Sequence, residues 1–261
     1  MRGSQGLGSA ALLLGFAVAS LLAVPTLATD DADLRRRIEE RFARAGLDRS
    51  TGVTVTVDRG AVRLEGVAVS LADAREAEKQ ARREAKVVLN QIQVVPERQR
   101  SDRAILNDAE GAIRSYSRYG AFDAVGVEVE DGMVRLAGFV LDDVRRREIE
   151  DRIARVEGVR DVHNDLRRQG FSPGDERLRQ QIYHKIYTDP MFEQYASWSE
   201  PPVRVLVERG RVTLAGKVGS AVEQAAVGHL ARETLAFSVS NLVQVEGSRE
   251  KEEDSRKQTE S

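Results

Sequence analysis

One pattern occurs three times in this chain and constrains everything it can fold into. Residues 53–67 read VTVTVDRGAVRLEGV, residues 125–140 read VGVEVEDGMVRLAGFV, and residues 203–218 read VRVLVERGRVTLAGKV. Aligned on Gly60, Gly132 and Gly210, they share V-x-V-x-V-x-x-G-x-V-x-L-x-G without a gap, in copies 72 and 78 residues apart. A length of 261 residues would otherwise allow one large domain or two ordinary ones. The repeat makes it a tandem array, so a single unit has to be understood first.

Each copy reads as a β-hairpin. Val53, Val55 and Val57 alternate with polar residues, as do Val62 and Leu64, which gives each strand one buried and one open face. Between the strands sit Asp58-Arg59-Gly60, Glu130-Asp131-Gly132 and Glu208-Arg209-Gly210. A glycine there supplies the positive φ of a tight hairpin turn. The second glycine of each copy, Gly66, Gly138 and Gly216, ends the second strand where a missing side chain permits a bend or a close backbone approach. These glycines are structural: they flank a hairpin and do not open a helix, so they form no phosphate loop.

The flanks repeat as well. An amphipathic helix precedes each hairpin, with Leu34, Ile38, Phe42 and Ala45 on one face in the first copy. Ile105, Ala109, Ala112 and Tyr116 do the same in the second copy, and Leu178, Ile182 and Ile186 in the third. A second helix begins near Leu71, Val144 and Val222, and Asp30, Ser101 and Ser220 are candidate helix caps. A short third strand closes each unit at 88–92, 162–166 and 239–243. Its asparagine follows the second glycine by 24, 26 and 25 residues. The expected fold is therefore α+β: three tandem two-layer αββαβ domains, each a three-stranded sheet covered on one face by two helices.

The expected organisation is a leader at 1–28, units at 29–97, 100–170 and 172–247, and a polar tail at 248–261 expected to be disordered. Pro96 to Ser101 and Gln169 to Gly174 are the linkers. Arg2, the apolar run from Ala10 to Val24 and the small residues around Ala28 have the pattern of a cleavable secretory signal. A retained anchor is the alternative, since Ala10 to Ala28 nearly reaches spanning length.

Composition removes several functional classes. Lys and Arg number 40 against 42 Asp and Glu, so no global basic field marks a nucleic-acid binder. There is no cysteine, hence no disulfide, thiol nucleophile, thiolate metal site or lipoprotein anchor. His163, His184 and His229 show no ligand spacing, and no nucleophile elbow or phosphate loop occurs. The carboxylates alternate with arginines on helices, as on solvated faces. The expectation is a protein that is not an enzyme, with no cofactor, no metal site, no nucleic-acid partner and no small-molecule substrate.

The α-β-β-α-β unit, with this hairpin motif and a terminal V-x-N-x-L strand, resembles the BON domain, known from osmotically inducible periplasmic proteins and outer-membrane lipoproteins. The second copy matches best, because Val156-Glu157-Gly158-Val159 also has the family's glycine-valine approach to the last strand. Glu84-Ala85 and Leu235-Ala236 depart from it. The resemblance implies a non-enzymatic periplasmic module engaging phospholipid surfaces or the envelope in stress or osmotic protection. Some members bind anionic lipid through the first helix of one domain, and others are chaperone-like.

One local anomaly is aromatic. Of 13 aromatic residues, five lie between 183 and 198: Tyr183, Tyr187, Phe192, Tyr195 and Trp198, with Met191 beside them. Pro190 is expected to end the helix and leave a long link from Met191 to Pro202. Such side chains suit a membrane interface or a partner surface, where the ring is half buried and its polar atom wet. They equally suit the core of the third unit or a dock against the second. The open sheet face carries Thr54, Thr56, Arg63 and Glu65 in the first copy but Leu206 and Ala215 in the third, which points to the third unit as the contact surface. With charges cancelling, any contact with lipid must be local and partly apolar. The leading expectation is a phospholipid or envelope partner; the alternative is a protein-interaction or chaperone-like role without lipid.

Overall fold

The computed structural model describes residues 26–246, apart from 171, 197, 199 and 200. Most of the expected leader and the whole polar tail lie outside the described residues. Unit 1 comprises α1 (Thr26–Arg44), the short α2 (Leu47–Ser50), β1 (Thr51–Asp58), β2 (Ala61–Ala68), α3 (Leu71–Arg82) and β3 (Val87–Val94). Unit 2 comprises α4 (Asp102–Arg114), β4 (Ala124–Glu130), β5 (Met133–Val140), α5 (Asp143–Ile153) and β6 (Asp161–Arg168). Unit 3 comprises α6 (Pro173–Tyr187), α7 (Glu193–Ala196), β7 (Val203–Glu208), β8 (Arg211–Val218), α8 (Ala221–Arg232), β9 (Ser238–Asn241) and β10 (Gln244–Val245).

In every unit the hairpin pairs antiparallel with one register: Val55 opposite Leu64, Val127 opposite Leu136, Val205 opposite Leu214. The last strand runs parallel to the second, which makes β2, β5 and β8 the central strands. A parallel neighbour needs a crossover, and α3, α5 and α8 supply it. The turn residues Arg59 and Gly60 have φ of 51° and 77°, the two left-handed positions of a type I′ turn; Asp131–Gly132 and Arg209–Gly210 repeat it. At Gly66, Gly138 and Gly216 a Cβ would lie 2.1, 2.1 and 1.9 Å from the carbonyl oxygens of Gly52, Ala124 and Pro202. These glycines mark a close backbone approach across the hairpin.

The helices bury their expected stripes on one face of each sheet, giving one apolar core per unit. Ile38, Ile105 and Ile182 lie at the three centres, each nearly or wholly inaccessible. Two details differ from expectation at the first helix. Ala45 is exposed, and Leu47 of α2 fills the core in its place. Asp30 is not a cap, because α1 already runs from Thr26; cleavage after Ala28 would fall within this helix. Ser101 and Ser220 do cap α4 and α8, each accepting an amide three residues on. In unit 3 the closing strand breaks after Asn241 and resumes at Gln244, with both segments beside β8.

The asparagine of each third strand ties strand to helix. Asn90, Asn164 and Asn241 each accept the amide two residues ahead. Their amide groups reach Glu78 of α3, Glu150 of α5 and the Gln224 carbonyl of α8. Neighbouring units also pack together. Leu71 of unit 1 belongs to the core of unit 2, the Ala72 amide donates to the Ala154 carbonyl at 3.0 Å, and Arg75 pairs with Glu150 at 2.9 Å. Among the described residues no helix is long and apolar enough to cross a membrane.

Candidate functional site

An edge strand carries a row of amides and carbonyls that need partners. On β7 of unit 3 those partners come largely from outside its own sheet. The Tyr187 hydroxyl donates to the Val203 carbonyl at 2.9 Å and accepts the Val203 amide at 3.0 Å. The Val205 amide donates to the Ala121 carbonyl of unit 2 at 2.7 Å. Gln169, in the linker, accepts the Val207 amide at 3.1 Å, and Arg179 donates to the Val207 carbonyl at 3.3 Å. The edge is thereby closed jointly by α6 of its own unit, by the linker and by the preceding unit.

That closure decides which of the expected contact residues are free. Tyr187 is buried and Phe192 fully buried, so both are core and neither can meet a surface. Burial pushes the Tyr187 hydroxyl well above its usual range. Tyr183 is half-buried between Phe122 of unit 2, edge-on at 5.4 Å, and Tyr187 at 4.7 Å. Tyr195 packs between Phe192 and Trp198 at 6.4 and 4.9 Å, and burial raises its hydroxyl too. Only Met191 and Trp198 of the six are exposed, at 39% and 53%. The segment is chiefly core of unit 3, with Tyr183 docking on Phe122 of unit 2 and two side chains left over for contact. Leu206, expected on an open face, is buried, as is Arg204, whose guanidinium lies 4.8 Å from the Tyr119 ring of unit 2.

What stays open on unit 3 is the β8–β9 half of that face. Alternation along β8 puts Arg211, Thr213, Ala215 and Lys217 there, with Ala215 half-buried and Lys217 exposed. At the Lys217 end a cleft of about 480 Å³ lies between units 2 and 3, lined by Tyr119, Trp198, Arg114, Arg204, Lys217 and Glu246 among others. It combines two aromatic rings with three cations, a surface able to hold an anionic group beside an apolar one.

Large exposed apolar side chains elsewhere on unit 3 are Val222, Leu235, Phe237 and Leu242. The sequence marked Val222 and Leu242 only as members of a helix and a strand and Leu235 only as a departure from the family pattern, and Phe237 drew no notice, because exposure depends on how the loop before β9 is presented. In contrast, unit 1 exposes four valines and one leucine, and unit 2 exposes Met133 and Val144. The three histidines lie on separate elements: His163 beside Asp165 at 2.9 Å, His229 beside Glu233 at 3.1 Å, and His184 at the end of α6.

A family model described as BON domain matches residues 30–96, 108–170 and 174–247. No curated protein matches the chain. Among solved structures the chain is similar to CdsD, a structural protein of the type III secretion system of Chlamydia trachomatis. That match has 14% identity over 86% of this chain and 97% of that chain, with a TM-score of 0.24. A structure of the C-terminal domain of CdsD matches at 14% identity over 82% of this chain and 97% of that chain, with a TM-score of 0.22. Scores this low carry no argument about function.

Proposed function

We propose that this chain, which belongs to the BON domain family, works as an exported periplasmic module that engages the phospholipid surface of the cell envelope through unit 3, in stress or osmotic protection. The family is one of non-catalytic binding modules, and the leader pattern at 1–28 supports export. The observation that carries the reading is the exposed Trp198, beside a cleft bearing Arg114 and Lys217. An indole at the headgroup level keeps its ring partly buried and its N–H wet. Each basic residue near an anionic leaflet adds about 1 kcal/mol. With 40 basic against 42 acidic groups in the chain, this attraction is local and short-ranged.

Co-sedimentation of the full chain with vesicles of phosphatidylglycerol and phosphatidylethanolamine tests the proposal. Pelleting at low salt that weakens as salt rises is the expected result. Absence of pelleting at high lipid and low salt would rule it out. A second reading, a protein-binding or chaperone-like module, has its own support in unit 1, where Val67, Val87 and Leu89 are exposed on strands β2 and β3. It predicts suppression of client aggregation in the complete absence of lipid.

A further inference from the structure

The residue just before the closing strand differs in kind between the units. The strand registers align Lys86, Arg160 and Phe237 at that position. Two residues earlier stand Glu84, Gly158 and Leu235. Units 1 and 2 thus place charge or glycine where unit 3 places two large apolar side chains. In unit 1, Glu84 is tied down by Arg37 and Arg41. In unit 3, Leu235 is 95% exposed and Phe237 77% exposed, the two highest exposures of any large apolar side chain among the described residues.

The loop that carries them is held in place. The Phe237 amide donates to the Gly210 carbonyl at 2.8 Å, and the Thr234 hydroxyl donates to the Ala231 carbonyl at 2.7 Å. Both ends of the tip are therefore fixed, so presenting the two side chains costs little ordering entropy. Phe237 lies under the guanidinium of Arg211 at 5.4 Å, and Arg209 stands in the adjoining turn. Facing them is Glu208, opposite Arg211 in the hairpin. Glu233 is engaged by Lys185 at 2.6 Å, and Asp175 uses both oxygens on the turn amides. An exposed apolar pair beside Arg211 and the Arg209 turn fits a deformable interface that has hydrocarbon below and phosphate above.

We infer that Leu235 and Phe237 are a point of insertion into the interfacial layer of an anionic bilayer, with Arg209 and Arg211 set over lipid phosphate. The inference rests on the lipid reading above and gives it a second contact. Arg211 and Lys217 share one face of β8, so the tip lies roughly 20 Å along the strand from the Trp198 cleft. Leu242, 62% exposed, lies in the break after β9, between Asn241, whose amide reaches α8, and the buried Val243.

The test compares the full chain with its Leu235→Ser/Phe237→Ser variant on vesicles of phosphatidylglycerol and phosphatidylcholine. Binding weakened by about tenfold or more, with an unchanged thermal melt, is expected from withdrawing two apolar side chains. Binding within about twofold of wild type overturns the insertion site and leaves the lipid reading standing. No binding by the wild type overturns both. A Phe237→Trp variant carrying Trp198→Phe supplies an independent readout that does not depend on losing affinity. Its single indole should shift its emission to the blue on these vesicles; unshifted emission on vesicles that bind the protein overturns the inference.

Discussion

The carboxylate of Asp175 accepts the amide of Gly210 at 2.8 Å, across 35 residues of chain, while its other oxygen takes the amide of Arg209 at the same distance. The arrangement recurs. Asp102 holds Asp131 and Gly132, and Asp31 holds Arg59 and Gly60. A type I′ turn points two successive amides outward, and a carboxylate from the first helix clamps both at once. Asp175 is buried, whereas Asp31 is not. Asp175→Ala should therefore destabilise the protein by about 2–3 kcal/mol and Asp31→Ala by less, as bonds to a charged acceptor are worth most out of water. Urea unfolding of the two variants gives the order; equal losses would mean that the clamp does not act through its hydrogen bonds.

The hairpins were legible in the sequence because their requirements are written into residue types. Alternating valines specify a strand with one buried face, and a left-handed turn needs Gly60 or its equivalents. The clamp was not legible, since aspartates are frequent and the separation of clamp from turn varies between copies. The burial of Tyr187 was left open by the sequence for a related reason. Its hydroxyl pairs with Val203 on the edge of β7, an edge whose closure also needs Ala121 and Gln169, both distant in the sequence. Leu235 and Phe237 left a signal, but only against Lys86 and Arg160 in the other copies.

The two glycine positions of the repeated hairpin should respond differently to the same change. At Gly138 a Cβ would sit 2.1 Å from the Ala124 carbonyl oxygen, so β4 and β5 must separate to admit it. Gly138→Ala is expected to cost more than about 3 kcal/mol or to prevent unit 2 from folding. At Gly60 of unit 1 nothing lies within 4 Å, and only the φ of 77° opposes a side chain. Gly60→Ala should cost about 1 kcal/mol. Thermal melts of the two variants make the comparison.

Tyr116 provides an alkaline marker for unit 2. Burial, then its hydrogen bond to Glu148 and the negative charge of that carboxylate, push its hydroxyl up to about 12 from an ordinary 10. A raised folded value means that the neutral phenol is favoured in the folded state. This contribution is complete below pH 10 and is lost as pH climbs from 10 to 12. Titration of tyrosine absorbance should show a group ionising near 12, and Glu148→Gln should bring it down. A Tyr116 that ionises near pH 10 in the intact fold would contradict the placement of its hydroxyl.

The division of the aromatic segment into core and contact has a separable consequence. Tyr187→Phe keeps the ring in the core but leaves the Val203 amide and carbonyl without their partner, a buried loss of about 1–3 kcal/mol. Vesicle binding per folded molecule should be unaffected, since the ring never reaches the surface. Trp198→Ala removes a half-exposed indole that packs edge-on against Tyr195, and its stability cost should stay near 1 kcal/mol or below. Its effect belongs in binding, where loss of the interfacial ring should weaken attachment to anionic vesicles several-fold, to roughly the extent of 1 kcal/mol. Measured together by thermal melt and co-sedimentation, the two variants should fall on opposite axes. If Tyr187→Phe weakened binding while Trp198→Ala did not, the contact surface would have to lie on the docked side of unit 3 and the exposed cleft would lose its role.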